Sequence, residues 1–288
     1  MTNYIQDEIA NGAYIIERPD NFDLSQIFDC GQCFRFNRSE IFENTYEGVA
    51  FSEFLRVTQD QNKLYFHGTQ DRVFENVWKS FFDLDRNYND IINSFSDDET
   101  LYKASKFSSG IRILKQDHWE TLCSFIISQN NNIPRIKGII DNMSKKFGTP
   151  IECFDGVTRF SFPTPESLYN AGEAEIFALK TGFRAKYIYD AAKKVCTGEI
   201  DLEKIAELSL DKALEQLEKI KGVGPKVAAC TLLFGFGKYD AFPIDVWVKR
   251  ILSKYYSEKP SPHFSQCNAG IAQQYLFYYE RCQNNVFI

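Results

Sequence analysis

The chain has 288 residues, of which 44% are hydrophobic and 25% charged, an ordinary composition for a globular protein in water. The sequence contains no run of about 18 apolar residues, so no membrane-spanning helix is predicted. The polar, acidic N-terminus does not fit a secretory signal. We therefore expect a cytoplasmic protein, or a nuclear one if the source is a eukaryote.

The net charge of −6 taken alone argues against a nucleic-acid partner, but the charges are unevenly distributed. Residues 1–100 hold 8 Lys and Arg against 19 Asp and Glu, a net charge of −11, whereas residues 101–288 hold 25 against 20, a net charge of +5. A polyanionic partner would meet the C-terminal part of the chain. Acidic surface loops in the first part of the chain would give the same charge asymmetry. The asymmetry alone therefore does not show whether the protein binds a polyanion.

The eight cysteines are scattered singly, apart from the pair Cys30 and Cys33. There is no second pair for a zinc ribbon and no four-cysteine run for an iron–sulfur cluster, and the three histidines lie far apart in the sequence. We therefore expect reduced, mostly buried thiols and no metal site.

The first hundred residues predict mostly β-strands. QCFRFN and YEGVAF are typical of strands, and FLRVTQDQNKLYFHG has the pattern of a hairpin with a polar turn. Helical spacing of apolar residues begins with DRVFENVWKSFFDL and continues through nearly every segment after Leu101. The predicted fold is an α+β N-terminal domain, a twisted antiparallel sheet with helices, over residues 1–112. An all-α domain follows over residues 113–288.

The helices of the second part carry recognisable end signals. In PRIKGIIDNMSKKFG, Pro134 suits the first turn and Gly148 the C-cap. Further on, SLDKALEQLEKIKG and PKVAACTLLFGFG predict two helices joined by a turn that contains Gly222, Val223 and Gly224. The sequence thus predicts a tight helical hairpin in the C-terminal half.

This hairpin turn has the features of an anion site. Gly222 and Gly224 permit positive φ and a close backbone approach, and Pro225 suits the first helical position. Backbone N–H groups of the second helix then point outwards, and Lys219 and Lys221 lie nearby, so a DNA phosphate is the expected occupant. The alternative is a plain corner between two helices, which needs only one glycine.

Lys226 lies in the first turn of the second helix, where the positive end of the helix dipole disfavours an ammonium group. This placement makes sense if a neutral amine, which is a nucleophile, is wanted. Asp245 precedes the helical segment VWVKR and suits an N-cap, which is all that most such aspartates do. One helix and a loop separate it from Lys226, so its carboxylate can also return to face the amine.

Together these residues resemble a known family. KGVGPKVAAC followed by FPIDVW is similar to the helix-hairpin-helix DNA glycosylases with a Gly/Pro loop and a catalytic aspartate. Over nearly the whole chain the resemblance extends to the 8-oxoguanine DNA glycosylases, the Ogg family. The motifs that carry it are DCGQCFRF, SFIISQNNNIPRI, TGFRAKY and AGIAQQYLF, in the right order with the hairpin. The second domain is then a helix-hairpin-helix glycosylase domain.

The resemblance implies a bifunctional glycosylase and abasic-site lyase that excises 8-oxoguanine in base excision repair and ends with β-elimination. Lys226 is the nucleophile that attacks C1′ of the sugar and forms a Schiff base, and Asp245 stabilises the developing positive charge. Gly222, Gly224 and Lys226 form the phosphate site, with a monovalent cation, Na⁺ or K⁺, on the hairpin carbonyls. The expected partner is double-stranded DNA that contains 8-oxoguanine, and the expected state is a monomer with no membrane contact.

The resemblance also implies how the damaged base is read. Gly31 offers its backbone carbonyl to the protonated N7 of 8-oxoguanine, a proton that guanine lacks. Gln273 reads the Watson–Crick edge, while Phe277 and Cys230 sandwich the flipped base. Without the resemblance, an aromatic residue in YLFYY and a lone cysteine are more typical of a hydrophobic core.

The cytosine left behind is expected to contact Asn130, Arg135 and Arg184, while Phe183 fills the gap in the duplex. Two positions depart from the family pattern. The family usually has tyrosine at the position of Phe183, and vertebrate relatives have histidine at the position of Trp247. We expect faster excision opposite cytosine than opposite adenine.

Two other functions are weighed against this one. Adenine and thymine-glycol glycosylases of the same superfamily usually carry a C-terminal four-cysteine cluster, for which Cys267 and Cys282 are too few, and alkyl-base enzymes typically lack the lysine. A non-catalytic helix-hairpin-helix DNA-binding module would explain the hairpin glycines but not the combination of Lys226 and Asp245.

Overall fold

The computed structural model describes residues 12–284 of the chain. Its N-terminal part is built on an antiparallel sheet of five strands in the spatial order β1-β5-β4-β3-β2. The strands are β1 Ala13–Glu17, β2 Asn37–Arg38, β3 Thr45–Ala50, β4 Glu53–Gln59 and β5 Lys63–His67. The predicted hairpin is confirmed as β4–β5, in which Gln59 pairs with Leu64 across a polar turn.

Two helices pack on this sheet: α1, Leu24–Phe28, and α2, which is formed by the consecutive segments Asp71–Val73, Phe74–Trp78 and Lys79–Phe81. The middle segment of α2 is π-helical. Alternate strand residues point to the same face of a sheet, and here they pack with helix residues into one buried core. Its members include Leu55, Val57, Leu64, Phe66, Trp78 and Phe81.

The rest of the described chain is mainly helical, which confirms the predicted fold class. The helices are α3 Tyr88–Ser94, α4 Glu99–Phe107, α5 His118–Ser128, α6 Ile133–Phe147, α7 Pro165–Ile176, α8 Ala185–Cys196, α9 Leu202–Glu207, α10 Leu210–Leu217, α11 Pro225–Phe234, α12 Val246–Tyr255 and α13 Ala269–Gln283. Within residues 12–284, none of the helices is long and apolar enough to cross a bilayer.

One element departs from the all-helical prediction. A two-stranded hairpin, β6 Pro150–Ile151 and β7 Arg159–Phe160, follows α6. Strands of two residues are too short to give an alternating pattern, so the sequence did not indicate them. Helix α6 itself begins and ends as predicted, with Pro134 in its first turn and Gly148 at its C-cap.

The segment between the two parts of the protein is held by a buried arginine. Ile111 and Ile113 pack into the helical core, whereas Leu114 packs into the sheet core. Between them, Arg112 is 1% exposed and donates hydrogen bonds to the carbonyl oxygens of Phe82 and Asp83. Helices α3 and α4 pack with the helical core although they precede residue 113. The predicted domain limits stay a prediction.

Candidate active site

A narrow cavity lies where the N-termini of α11 and α12 meet α13 and the loop that follows α1. Its volume is about 60 Å³, which corresponds to roughly two water molecules. Six residues named from the sequence line it: Gly31, Lys226, Cys230, Asp245, Gln273 and Phe277. The fold therefore brings together residues from four separate segments of the chain.

The hairpin between α10 and α11 presents the lysine to this cavity. Gly222 has φ of +79°, and a side chain there would overlap the ring of Tyr187. Gly224 is the N-cap of α11 with φ of −103°, and a Cβ placed on it would meet no atom within 4 Å. Open space thus lies beside the N-terminus of α11, as an anion site requires.

Lys226 is half-buried on the first turn of α11. Its Nζ lies 5.4 Å from the centroid of the Phe125 ring, a contact that attracts a positive charge. One turn further, the thiol of Cys230 lies against the lysine side chain. Burial raises the pKa of this thiol, and the lysine ammonium opposes the rise. The amine therefore lies near an aromatic face as well as near the N-terminal end of the helix dipole.

Asp245 has the N-cap position that its sequence context predicts. Its Oδ1 accepts a hydrogen bond of 2.8 Å from the backbone N–H of Val248, and its carboxylate also lines the cavity with Lys226. The two side chains do not form an ion pair among residues 12–284. Capping and a place in the cavity are therefore compatible, since the second carboxylate oxygen is not used by the cap.

The walls of the cavity include two polar groups without a hydrogen-bond partner among residues 12–284, the side-chain amide of Gln273 and the backbone carbonyl of Gly31. Gln273 is 5% exposed, and within residues 12–284 its side-chain amide makes no hydrogen bond. Phe277 follows it by one helical turn on α13. Across the cavity, the turn at Gly31 has φ of +84°. These groups are placed to meet a planar polar ring by its edge and its face.

The four residues predicted to meet the orphan base and the gap lie on neighbouring loops. Phe183 is 48% exposed, and the Arg184 guanidinium lies 4.4 Å from its ring centroid. Arg184 is only 2% exposed, because it donates to the carbonyl oxygens of Gln129 and Asn130. Asn130 and Arg135 are exposed. Arg184 thus supports the loop that carries Asn130.

Helix α8 supports the hairpin in a way that the sequence did not indicate. Tyr187 packs against Gly222, and Asp190 accepts a hydrogen bond of 2.8 Å from the backbone N–H of Lys221. Lys194 donates to the carbonyl oxygen of Lys219. One hairpin carbonyl is therefore already bound to a protein ammonium, and the monovalent cation at this turn stays a prediction.

A basic and aromatic cluster borders the cavity, and sequence reasoning missed its arginine. The Arg281 guanidinium lies 5.3 Å from the ring centroid of Phe277 and 5.7 Å from that of Trp247. Burial lowers the pKa of Arg281, and the carboxylate of Asp245 opposes that shift. Its place on α13, two turns after Gln273, is the signal that could have identified it.

The thiols beside Gly31 are poor nucleophiles. Burial raises the pKa of Cys30 to about 12 and that of Cys33 to about 11. At neutral pH both stay protonated, and a thiol that is not ionised neither attacks carbon nor binds metal well. Neither thiol is therefore a candidate nucleophile at neutral pH.

A larger cavity of about 740 Å³ lies between the β2–β3 edge of the sheet and α6. It contains none of the predicted site residues. Two of its arginines, Arg56 and Arg159, are paired with the carboxylates of Glu47 and Asp155. This cavity is larger than the one around Lys226, but four of its charged side chains pair with one another.

Comparison with known proteins agrees with this geometry. Residues 14–122 match the N-terminal domain of 8-oxoguanine DNA glycosylases, and residues 123–271 match the HhH-GPD superfamily of base excision DNA repair proteins. A solved structure of MBOgg1 in complex with a low-affinity DNA ligand is 43% identical, with a TM-score of 0.89, over 95% of this chain and 97% of that one.

Two further relatives point the same way. The 8-oxoguanine glycosylase/lyase of Clostridium acetobutylicum, solved with DNA that has cytosine opposite 8-oxoguanine, is 40% identical with a TM-score of 0.88 over 96% of this chain and 97% of that one. The N-glycosylase/DNA lyase of Saccharomyces cerevisiae is 37% identical over 66% of this chain, which spans 53% of the yeast protein. The chain therefore belongs to the 8-oxoguanine DNA glycosylase family, within the HhH-GPD superfamily of base excision repair proteins.

Proposed function

We propose that this protein is a bifunctional DNA glycosylase and abasic-site lyase that removes 8-oxoguanine from double-stranded DNA. The observation that carries the proposal is the meeting of Lys226 and Asp245 with Gln273 and Phe277 around one cavity. A module that only binds DNA would need the hairpin but neither a lysine at the cavity nor an uncommitted amide opposite it.

The lysine supplies the nucleophile. Its neutral amine attacks C1′ of the flipped nucleotide, and the bond from C1′ to the base breaks. The base leaves with the bonding electron pair and takes up a proton. The amine and the opened sugar form a Schiff base, and loss of a proton from C2′ then expels the 3′ phosphate. Asp245 stabilises the positive charge that develops on the sugar, since a fixed carboxylate needs no reorganisation at that moment.

The cavity binds the base after it has been flipped out of the DNA duplex, because C1′ is out of reach while the nucleotide is stacked. The Gln273 amide matches the Watson–Crick edge, and the Phe277 ring stacks on one face while Cys230 contacts the other. Stacking on an aromatic ring contributes on the order of 1–3 kcal/mol per base. Ligand pockets usually measure about 300 Å³ or more, so this cavity of about 60 Å³ has to widen as the base enters.

The opposite strand is read by the loops beside α8. Phe183 fills the space that the flipped nucleotide leaves, and Asn130 and Arg135 meet the orphan base. Arg184, whose guanidinium donates to the carbonyl oxygens of Gln129 and Asn130, has to redirect a donor to join them. The O2 and N3 atoms of cytosine accept hydrogen bonds and its N4 donates one, a set that arginine and asparagine side chains complement. Excision is therefore faster opposite cytosine than opposite adenine.

Trapping with borohydride tests this function. A duplex with a single 8-oxoguanine should give a covalent protein–DNA adduct, and Lys226→Gln should abolish it while specific binding persists. Lys212→Gln is the matched control, because Lys212 is an exposed lysine of α10 that lies outside the hairpin turn and does not line the cavity. An adduct of undiminished yield with Lys226→Gln would refute the assignment. An adduct on other damaged bases but not on 8-oxoguanine would change the substrate.

A further inference from the structure

The loop at residues 30–33 forms one wall of the cavity, and its three successive carbonyl groups differ in their partners. The carbonyl of Cys30 accepts a hydrogen bond of 2.9 Å from Nε2 of Gln274. The carbonyl of Gln32 accepts one of 2.8 Å from Nε2 of Gln116. Between them, the carbonyl of Gly31 has no hydrogen-bond donor among residues 12–284. The free acceptor at the cavity is thus bracketed by two occupied ones.

The donor side chains come from distant parts of the chain. Gln274 is 3% exposed and follows Gln273 on α13; it lines the cavity as well as holding the loop, whereas Gln116 holds the loop without lining the cavity. Gln116 also donates to the carbonyl of Phe234, the last residue of α11, at 3.4 Å. The loop is therefore tied to the helix of Gln273 on one side and to the helix of Lys226 on the other.

The side chain of Gln32 anchors the loop to the protein interior. It is fully buried, its Nε2 donates to the carbonyls of Ile27 and Arg112 at 2.9 Å, and its Oε1 accepts from the backbone N–H of Leu114 at 2.9 Å. Both hydrogens of this amide and one acceptor site of its oxygen are therefore occupied. A buried polar side chain that is bonded in this way rigidifies its surroundings.

From these contacts we infer that Gln274 and Gln116 are positioning residues that fix the direction of the Gly31 carbonyl toward the N–H edge of the flipped base. The inference rests on the proposed function, because an acceptor at this wall discriminates only if the substrate carries a proton that the normal base lacks. Occupying the two neighbouring carbonyls also prevents the loop from turning a different acceptor into the cavity.

A change in the direction of the Gly31 carbonyl should lower the excision rate, because the carbonyl has to meet a single N–H group of the base. The glycine turn, with φ of +84°, can rotate its peptide groups more freely than other residues. Removal of either glutamine donor releases one flanking peptide, and a displacement of about 1 Å of a reacting or reading group can cost up to about 100-fold in rate. We expect a loss of about tenfold for each single substitution.

The test uses two reactions of the same protein. Excision of 8-oxoguanine needs the Gly31 carbonyl, whereas cleavage of a preformed abasic site needs the lysine but no base. Gln274→Met keeps the length of the side chain and removes its N–H donor. In this variant the single-turnover rate of 8-oxoguanine excision, divided by that of abasic-site cleavage, should fall about tenfold. Borohydride trapping on abasic-site DNA gives the active fraction and normalises both rates. Gln283→Met is the matched control, because Gln283 is an exposed glutamine of the same helix.

Gln116→Met approaches the loop from the other side and should lower the same ratio, and it decides the outcome if Gln274→Met does not fold. An unchanged ratio in a folded variant, with both rates reduced equally or not at all, would overturn the inference and leave the glutamines as structural residues. If the unmutated protein cleaves abasic sites but does not excise 8-oxoguanine, the proposed function fails instead.

Discussion

An added methyl group should mainly lower stability at Gly222 and mainly lower DNA affinity at Gly224, the two glycines of the hairpin. Gly222→Ala places a Cβ under 3.0 Å from ring atoms of Tyr187, at φ of +79°. Left-handed backbone costs a non-glycine residue about 1–2 kcal/mol, and overpacking adds roughly 1–3 kcal/mol. We expect a loss of about 3 kcal/mol in unfolding free energy, which for a protein of this size lowers Tm by roughly 5–10 °C.

Gly224→Ala should leave the fold nearly intact and weaken DNA binding. At φ of −103° alanine is unstrained, and no atom lies within 4 Å of the added Cβ. Alanine is a poorer N-cap than glycine, which costs about 0.5–1 kcal/mol. We expect a phosphate to reach the N–H groups of α11 through the open space at this Cβ, so the methyl group should reduce affinity for duplex DNA about tenfold.

Thermal unfolding and fluorescence anisotropy, measured on both variants, separate the two effects. Trapping on a saturating concentration of abasic-site DNA shows whether Lys226 still reacts in each variant. If Gly224→Ala binds DNA as tightly as the unmutated protein, the phosphate does not sit at this N-terminus. If both variants lose the same Tm, the contact between Gly222 and Tyr187 does not govern stability.

Three further outcomes are expected. Asp245→Asn should lower the excision rate by ~10²–10⁴-fold with little change in DNA affinity, and a collapse of Tm with unchanged activity per folded molecule would make it a cap alone. Arg184→Ala should narrow the ratio of excision rates opposite cytosine and adenine more than Phe183→Tyr changes it; equal rates with the unmutated protein would show that these loops do not read the orphan base. Burial raises the pKa of Glu120 from 4.5 to about 7, against the opposing effect of Arg35, so the stability associated with its neutral form is present below pH 4.5 and lost as pH rises through about 7. Urea unfolding at pH 5 and pH 8 should therefore show a smaller loss for Glu120→Gln than for the unmutated protein, and parallel losses would contradict this.

Sequence reasoning located the cavity because its residues lie in short continuous motifs. Lys226 follows its hairpin by two residues and Asp245 precedes its helix directly, so local rules for turns and caps identify both. The same holds for the β4–β5 hairpin, whose two strands are close in sequence. Such features depend on interactions within one or two turns of the chain, which a pattern of residues records.

The supports of the site could not be inferred in this way. Gln274 and Cys30 are 244 residues apart, and Asp190 and Lys221 are 31 apart, so the side chains that hold the loop and the hairpin meet only through the tertiary fold. The burial of Arg184 on loop carbonyls was missed for the same reason. An arginine in a loop motif gives no indication of whether its donors face a ligand or the backbone of its own protein.

Tyr187 links two parts of the surface proposed to bind DNA. Its ring contacts Gly222 of the hairpin and lies edge-on to Phe183, with ring centroids 6.0 Å apart. Because one rigid ring touches both, we expect the hairpin and the Phe183 ring to keep a nearly constant separation when DNA binds. Bending would then fall mainly on the DNA, at a cost of order 1–6 kcal/mol that depends on how stiff its local sequence is. Under the proposed function, base pairs weakened by damage or by flexible neighbouring steps are therefore expected to open most readily.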